Sequence, residues 1–226
     1  MVRLVLFDID GTLIHTGGAG VKAFGKVFST EFGLADGFEH LKFAGRTDYS
    51  LVREFFTYHQ IPPTPEHFDR FFSRYVFWLD HLLETSRKET CPGVWSFIHG
   101  LQSSPKPPVL GLLTGNIRLG AEIKLRCFNL WDVFVTGAFA DDHEDRDQIA
   151  RIARERGERL LGGSHLRHGE VLVIGDTALD IKCGRAIDAK VLAVATGGAS
   201  LEALTKHQPD WAVPDLTHIT SAEVLA

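Results

Sequence analysis

Asp8 and Asp10 stand two residues apart and are followed at once by Gly11-Thr12. The run ahead of them, Leu4-Val5-Leu6-Phe7, reads as a buried strand. Two carboxylates therefore emerge where a strand ends and the chain turns. Groups of like charge this close repel, and a divalent cation makes the arrangement tolerable. Mg²⁺ suits it, because this ion binds through a few carboxylates together with phosphate oxygens. Two other apolar runs end in polar groups. Val109–Leu113 leads into Thr114-Gly115-Asn116, and Val171–Ile174 leads into Gly175-Asp176-Thr177, with Asp180 one helical turn beyond Asp176. In a parallel sheet such ends lie side by side along the carboxyl edge, where ligands bind. The predicted cluster holds Asp8, Asp10, Asp176 and Asp180, the Thr114 hydroxyl, and N–H groups at helix N-termini. Those N–H groups bind phosphate, so the chemistry expected is metal-assisted handling of a phosphoryl group.

The elements that must position these groups alternate. Beyond Cys91 the spacing predicts a helix over Pro92–Leu101, a strand over Val109–Leu113 and a helix over Arg118–Asn129. A strand over Val133–Thr136, a helix over Asp147–Leu161 and a strand over Val171–Ile174 follow. The series ends with a helix over Ile181–Ile187, a strand over Val191–Ala195, a short helix over Leu201–Lys206 and an edge strand at Trp211–Val213. Strands alternating with helices imply an α/β fold, a doubly wound, mostly parallel, Rossmann-like sheet covered on both faces.

Residues 14–90 break the pattern, and no strand is expected there. Val21, Phe24, Phe28 and Phe32 recur at helical spacing, as do Leu51, Val52, Phe55 and Phe56. Phe68, Phe71, Phe72, Tyr75, Leu79 and Leu82 mark a third helix. Eleven of the sixteen phenylalanines fall in this stretch, so it has its own aromatic core and is read as an inserted helical bundle, not a loop. Gly17-Gly18 would be its hinge. The expected division is a core of residues 1–14 and 91–226 and a helical cap of residues 15–90.

Length and charge narrow the classes. A chain of 226 residues with 44% apolar content has the composition of a globular protein. A net charge of −5 argues against nucleic acid or an anionic membrane as the partner. Cys91, Cys127 and Cys183 have no disulfide or zinc spacing, which fits a reducing cytoplasm. The first strand begins almost at the N-terminus, leaving no room for a signal peptide, and no apolar run approaches the ~20 residues of a membrane helix. Monomer and homodimer both remain open.

The three motifs, Asp8-Ile9-Asp10-Gly11-Thr12, Leu112-Leu113-Thr114-Gly115-Asn116 and Gly175-Asp176-Thr177-Ala178-Leu179-Asp180, resemble those of the haloacid dehalogenase superfamily. The likeness is to its Mg²⁺-dependent phosphatases with a helical cap after the first motif, the phosphoglycolate phosphatase group in particular. It covers nearly the whole chain, including the tail from Gln208 to Leu216. It implies that Asp8 is the nucleophile and forms an aspartyl phosphate. Asp10 would protonate the leaving oxygen and then take a proton from water, with its backbone carbonyl facing the metal. Thr114 and the Gly115 N–H would hold a phosphoryl oxygen, with Asn116 beside them. Asp176 would bind Mg²⁺ directly, and Asp180 through water or by orienting the other ligands.

One part departs from the family pattern. A lysine is usual between the second and last motifs, yet Asp141-Asp142-His143-Glu144-Asp145-Arg146-Asp147 contains none. Arg146 is the candidate replacement, since a guanidinium offers a planar fork to phosphate or carboxylate. Lys124, in the middle of a predicted helix, is the fallback. Arg46, in a Gly-Arg-Thr turn between cap helices, is the candidate for substrate contact. The expected activity is hydrolysis of a small phosphorylated metabolite. A phosphomutase of the β-phosphoglucomutase kind and a phosphate-sensing protein of low turnover are the alternatives.

Overall fold

The first apolar run becomes strand β1 (Leu4–Phe7), and all four of its residues are buried. In the computed structural model, which describes residues 1–34 and 41–226, β1 lies in the middle of a six-stranded sheet. Phe38, one of the clustered phenylalanines, lies outside the described residues. The sheet order is β5-β4-β1-β6-β7-β8, and every neighbouring pair is parallel. The strands are β4 (Val109–Leu113), β5 (Thr136–Ala138), β6 (Val171–Gly175), β7 (Lys190–Val194) and β8 (Trp211–Val213). The chain builds outward from β1 to β4 and β5, then returns to the other side of β1 for β6, β7 and β8. That reversal opens a crevice at the carboxyl end of β1.

Side chains alternate across β1. Val5 and Phe7 join one core, with Phe97 and Ile98 of α4 (Val94–Gln102) and Leu125 of α5 (Arg118–Arg126). Leu4 and Leu6 join the opposite core, with Ile149 and Ala153 of α6 (Arg146–Leu160) and Cys183 of α7 (Ala178–Ala186). A strand buried on both faces must be apolar throughout, so its polar neighbours are confined to its end.

The inserted helices are α1 (Ala19–Phe32), α2 (Asp48–Tyr58) and α3 (Pro65–Thr85). Phe24, Phe28, Phe55, Phe56, Phe71 and Tyr75 form their core, and the Phe28 and Phe55 rings stack. Ile117 and Ala140 of the α/β part join the same cluster. Thr47 and Thr64 cap α2 and α3, and Pro65 opens α3 without losing a needed N–H donor.

Several boundaries differ from expectation for local reasons. Strands β2 (Ile14–His15) and β3 (Glu89–Thr90) pair antiparallel where the chain enters and leaves the helical insertion, in a stretch expected to have no strand. Two residues are too few to show a period of two. Helix α4 begins at Val94, because Gly93 takes a left-handed φ of 83°. Helix α5 stops at Arg126, and Asn129 beyond it is left-handed at φ 57°. A 3-10 turn over Trp131–Val133 moves β5 to Thr136, and Phe134 packs on Phe7 instead of extending the strand. Helix α7 starts earlier, at Ala178, because Thr177 and Asp180 form a capping box. Helices α8 (Leu201–Thr205) and α9 (Ser221–Leu225) follow, the second not foreseen. Among the described residues no helix is long and apolar enough to cross a membrane.

Candidate active site

Register sets the site. Phe7 pairs with Leu112 on one side and Ile174 on the other, so Asp8 emerges level with the ends of β4 and β6. Its N–H donates to the Ile174 carbonyl at 2.9 Å, continuing the ladder one residue past the strand. The carboxylate is buried. One oxygen each of Asp8, Asp176 and Asp180 lie within 4.8 Å of one another.

Burial pushes the Asp8 carboxyl up to about 7, against the pull of the Arg146 guanidinium. Burial also raises Asp176, to about 8, helped by the charges of Asp180 and Asp8. Three buried acids share the single charge of Arg146, so the triad is short of positive charge, and its hard oxygen donors suit Mg²⁺. The donor set therefore fits such an ion. Asp176 is steadied by the Thr12 hydroxyl, which donates to it at 3.2 Å. Gly11 explains its own identity here: φ is 83°, and a Cβ would stand 2.8 Å from an Asp176 oxygen.

Asp180 is used on both oxygens. One accepts from the Thr177 N–H at 2.9 Å and the Thr177 hydroxyl at 2.6 Å. The other accepts from Arg146. Asp180 is absent from the cavity wall that holds Asp8, Asp10 and Asp176 and lies fully buried behind it.

Arg146 opens α6 directly after its capping residue, Asp145. One terminal nitrogen is 3.0 Å from Asp8 and also bonds Asp180. The other donates to the Gly45 carbonyl at 3.0 Å, in the loop before α2. A buried cation needs such partners, although its Nε finds none among the described residues.

At the end of β4, Thr114 is fully buried. The Asn116 side-chain amide donates to Thr114 Oγ1 and to Asp10 Oδ2, each at 2.8 Å. Lys124, only 4% exposed on α5, donates to Asp10 Oδ2 and to Asn116 Oδ1, each at 2.6 Å. The two cations are thus divided, Arg146 on Asp8 and Lys124 on Asp10.

The loop before α2 and the first turn of that helix complete the wall of the site. Asp48 N–H donates to the Gly115 carbonyl at 2.7 Å, and the Asp48 carboxylate accepts from the Ile117 N–H at 2.8 Å. Burial raises Asp48 to about 7, with Lys124 opposing the rise. Arg46 donates to Glu54 at 2.5 Å and to the Ser50 carbonyl at 3.3 Å, and still lines the cavity. That cavity, about 370 Å³, is walled by Asp8, Asp10, Thr114, Gly115, Asn116, Arg146 and Asp176, with Asp48, Tyr75 and Lys124 from the other side. Asp48 and Tyr75 were not foreseen. Asp48 reads in sequence as an ordinary acid in a first helical turn, and Tyr75 as one more aromatic of α3.

A profile of the haloacid dehalogenase-like hydrolases matches residues 5–194. No curated protein matches the chain. Among solved structures, a predicted phosphatase from Clostridium acetobutylicum has TM-score 0.73 at 17% identity, covering 100% of this chain and 99% of that one. A predicted phosphoglycolate phosphatase from Haemophilus somnus 129PT has TM-score 0.72 at 16% identity, covering 95% of each chain. CbbY from Rhodobacter sphaeroides in complex with phosphate has TM-score 0.69 at 17% identity, covering 88% of this chain and 92% of that one. At these identities the likeness is one of fold. The profile, by contrast, spans all three strand-end motifs that meet at the cavity, and the chain belongs to the haloacid dehalogenase-like hydrolases.

Proposed function

We propose that this protein is a Mg²⁺-dependent phosphohydrolase acting on a small phosphorylated metabolite in the cytoplasm, through an aspartyl phosphate at Asp8. The observation that carries this is the setting of Asp8. It is a buried carboxylate facing a cavity of about 370 Å³, 3.0 Å from a guanidinium and beside two more buried acids.

The phosphoryl group docks against the Thr114 hydroxyl, the Gly115 N–H and Arg146. An Asp8 oxygen attacks phosphorus, the P–O ester bond breaks, and Asp10 gives its proton to the leaving oxygen. Water then attacks the same phosphorus, Asp10 takes a proton from it, and Asp8 is released with free phosphate. Asp180 holds Arg146 in place throughout. A magnesium ion held by Asp8, Asp176 and the Asp10 backbone carbonyl, with Asp180 behind them, would shield Asp8 from the phosphate charge and stabilise the transition state. Residues 15–90 act as a cap over the core of residues 1–14 and 91–226, excluding bulk water. Arg46 reaches the substrate from that cap by exchanging Glu54 for an anionic group.

A screen of phosphorylated metabolites tests the reading. Phosphate release is expected with Mg²⁺, lost with a chelator and lost in Asp8→Asn. Turnover that survives Asp8→Asn would overturn it. Isomerised sugar phosphate without free phosphate, formed in the presence of the bisphosphate, would favour a mutase instead.

A further inference from the structure

We propose that Lys124 is a positioning residue for proton transfer at Asp10, fixing one carboxylate oxygen so that the other faces the leaving group. The inference rests on the reading of Asp10 as proton carrier and adds to it.

The Asp10 side chain is 42% exposed, so nothing about its burial holds it still. Both of its side-chain hydrogen bonds among the described residues go to Oδ2, from Lys124 at 2.6 Å and from Asn116 at 2.8 Å. Oδ1 is left to the cavity. Lys124 closes a ring, because it also donates to the oxygen of the same Asn116 amide at 2.6 Å. An ammonium can only donate, and Asp10 Oδ2 accepts from it whether or not Oδ1 carries the proton to be transferred, so this ring permits a single orientation of the amide. The amide's nitrogen then reaches Thr114 Oγ1 at 2.8 Å, tying the clamp to the hydroxyl assigned to the phosphoryl group.

The lysine sits on a rigid support. Its helix is anchored to the sheet by Ala121 and Leu125, both fully buried. Sites carried on a packed helix are held more tightly than sites on loops. Arg146 does a different job, since its contacts are with Asp8, Asp180 and Gly45. Positioning a proton donor in this way has a kinetic signature that simple charge balance lacks. Its benefit scales with the leaving group's need for a proton.

Two aryl esters of nearly equal shape make the test. Phenyl phosphate releases the more basic phenolate, which needs protonation, whereas p-nitrophenyl phosphate releases a resonance-stabilised anion. The constant to compare is kcat/KM, which ends at transfer to Asp8 and excludes the shared dephosphorylation step. In Lys124→Met, with Mg²⁺ present, kcat/KM for phenyl phosphate should fall about 10- to 100-fold, and for p-nitrophenyl phosphate less than about threefold. Asp10→Asn should show the same asymmetry, and the double variant should be no worse than Asp10→Asn alone. Lys124→Arg, which keeps the buried charge, should recover part of the phenyl phosphate rate, and it stands in if the methionine variant does not fold. Equal losses on both esters in the Lys124 variants, with Asp10→Asn still discriminating, would overturn the proposal. If Asp10→Asn itself lowers both esters alike, the reading of Asp10 as proton carrier fails, and the proposal with it.

Discussion

Arg146 does at one residue what several would otherwise share. Its guanidinium meets Asp8, Asp180 and the Gly45 carbonyl together. Burial disfavours its charge, yet Asp180 and Asp8 outweigh that and push its pKa further up. A lysine carries its donors on one nitrogen and cannot set separate nitrogens against the Asp8–Asp180 pair and the Gly45 carbonyl, as the two terminal nitrogens of Arg146 do. Arg146→Met is expected to lower kcat by ~10²–10³, as loss of a preorganised donor does. It should also destabilise the metal-free protein by ~3–5 kcal/mol, since two buried carboxylates lose their partner. Arg146→Lys should fall between parent and Met on both counts. Steady-state kinetics and urea unfolding in chelator check this, and a Lys variant equal to the parent in both would refute the three-way role.

At the scale of elements, the inserted helices are docked by backbone as much as by side chains. Asp48 N–H donates to the Gly115 carbonyl, the Thr47 hydroxyl donates to the Glu144 carbonyl at 2.8 Å, and Arg53 pairs with Glu144. Gly115 permits this approach. A Cβ there would collide with the Arg46 carbonyl and stand 3.0 Å from Thr47 Cα. Gly115→Ala should therefore push the Arg46 loop off the core, raising KM for metabolite substrates about tenfold while the melting temperature changes little. An unchanged KM would show that the loop does not help to form the substrate site. The aromatic centre of the cap answers differently. Phe28→Ala opens a cavity beneath the Phe24, Phe55 and Phe71 rings and should cost ~3–5 kcal/mol in chemical denaturation.

Across the whole molecule, buried acids couple stability to pH and metal. Asp8 and Asp48 rise from 3.8 to about 7 on folding, and Asp176 to about 8. Between the unfolded and folded values the native state holds more protons than the unfolded chain, so stability falls as pH rises. The contribution of these groups is thus greatest near pH 4 and is lost by about pH 8. Mg²⁺ binds the deprotonated carboxylates, so its stabilising effect should grow across the same window. Melting curves at several pH values, in chelator and in Mg²⁺, should diverge as pH rises. Asp48→Asn should flatten the chelator curve while leaving the Mg²⁺ increment in place, because Asp48 belongs to the cap clasp and not to the acid triad. Parallel curves would contradict this account.

The alternation of apolar strands with amphipathic helices was legible in the chain because burial on both faces of a sheet leaves a continuous apolar run. β1, β4, β6 and β7 were placed this way, and so were the three aromatic helices. Some short pieces were not legible: β2 and β3 carry too few residues for any periodicity, α9 was missed, and the start of β5 lies three residues later than expected, with Phe134 packed on Phe7 instead. The acids and hydroxyls at strand ends could be listed from sequence, since parallel register alone brings Asp8, Thr114 and Asp176 to one edge. Arg146 could be named only as the first candidate for the cation and Lys124 as the fallback; that both enter the site, each on a different acid, could not be read. Arg146 and Lys124 lie 138 and 114 residues from the acids they serve, Asp8 and Asp10. No local pattern links positions so far apart, and the tertiary packing of α5 and α6 against the sheet made the choice.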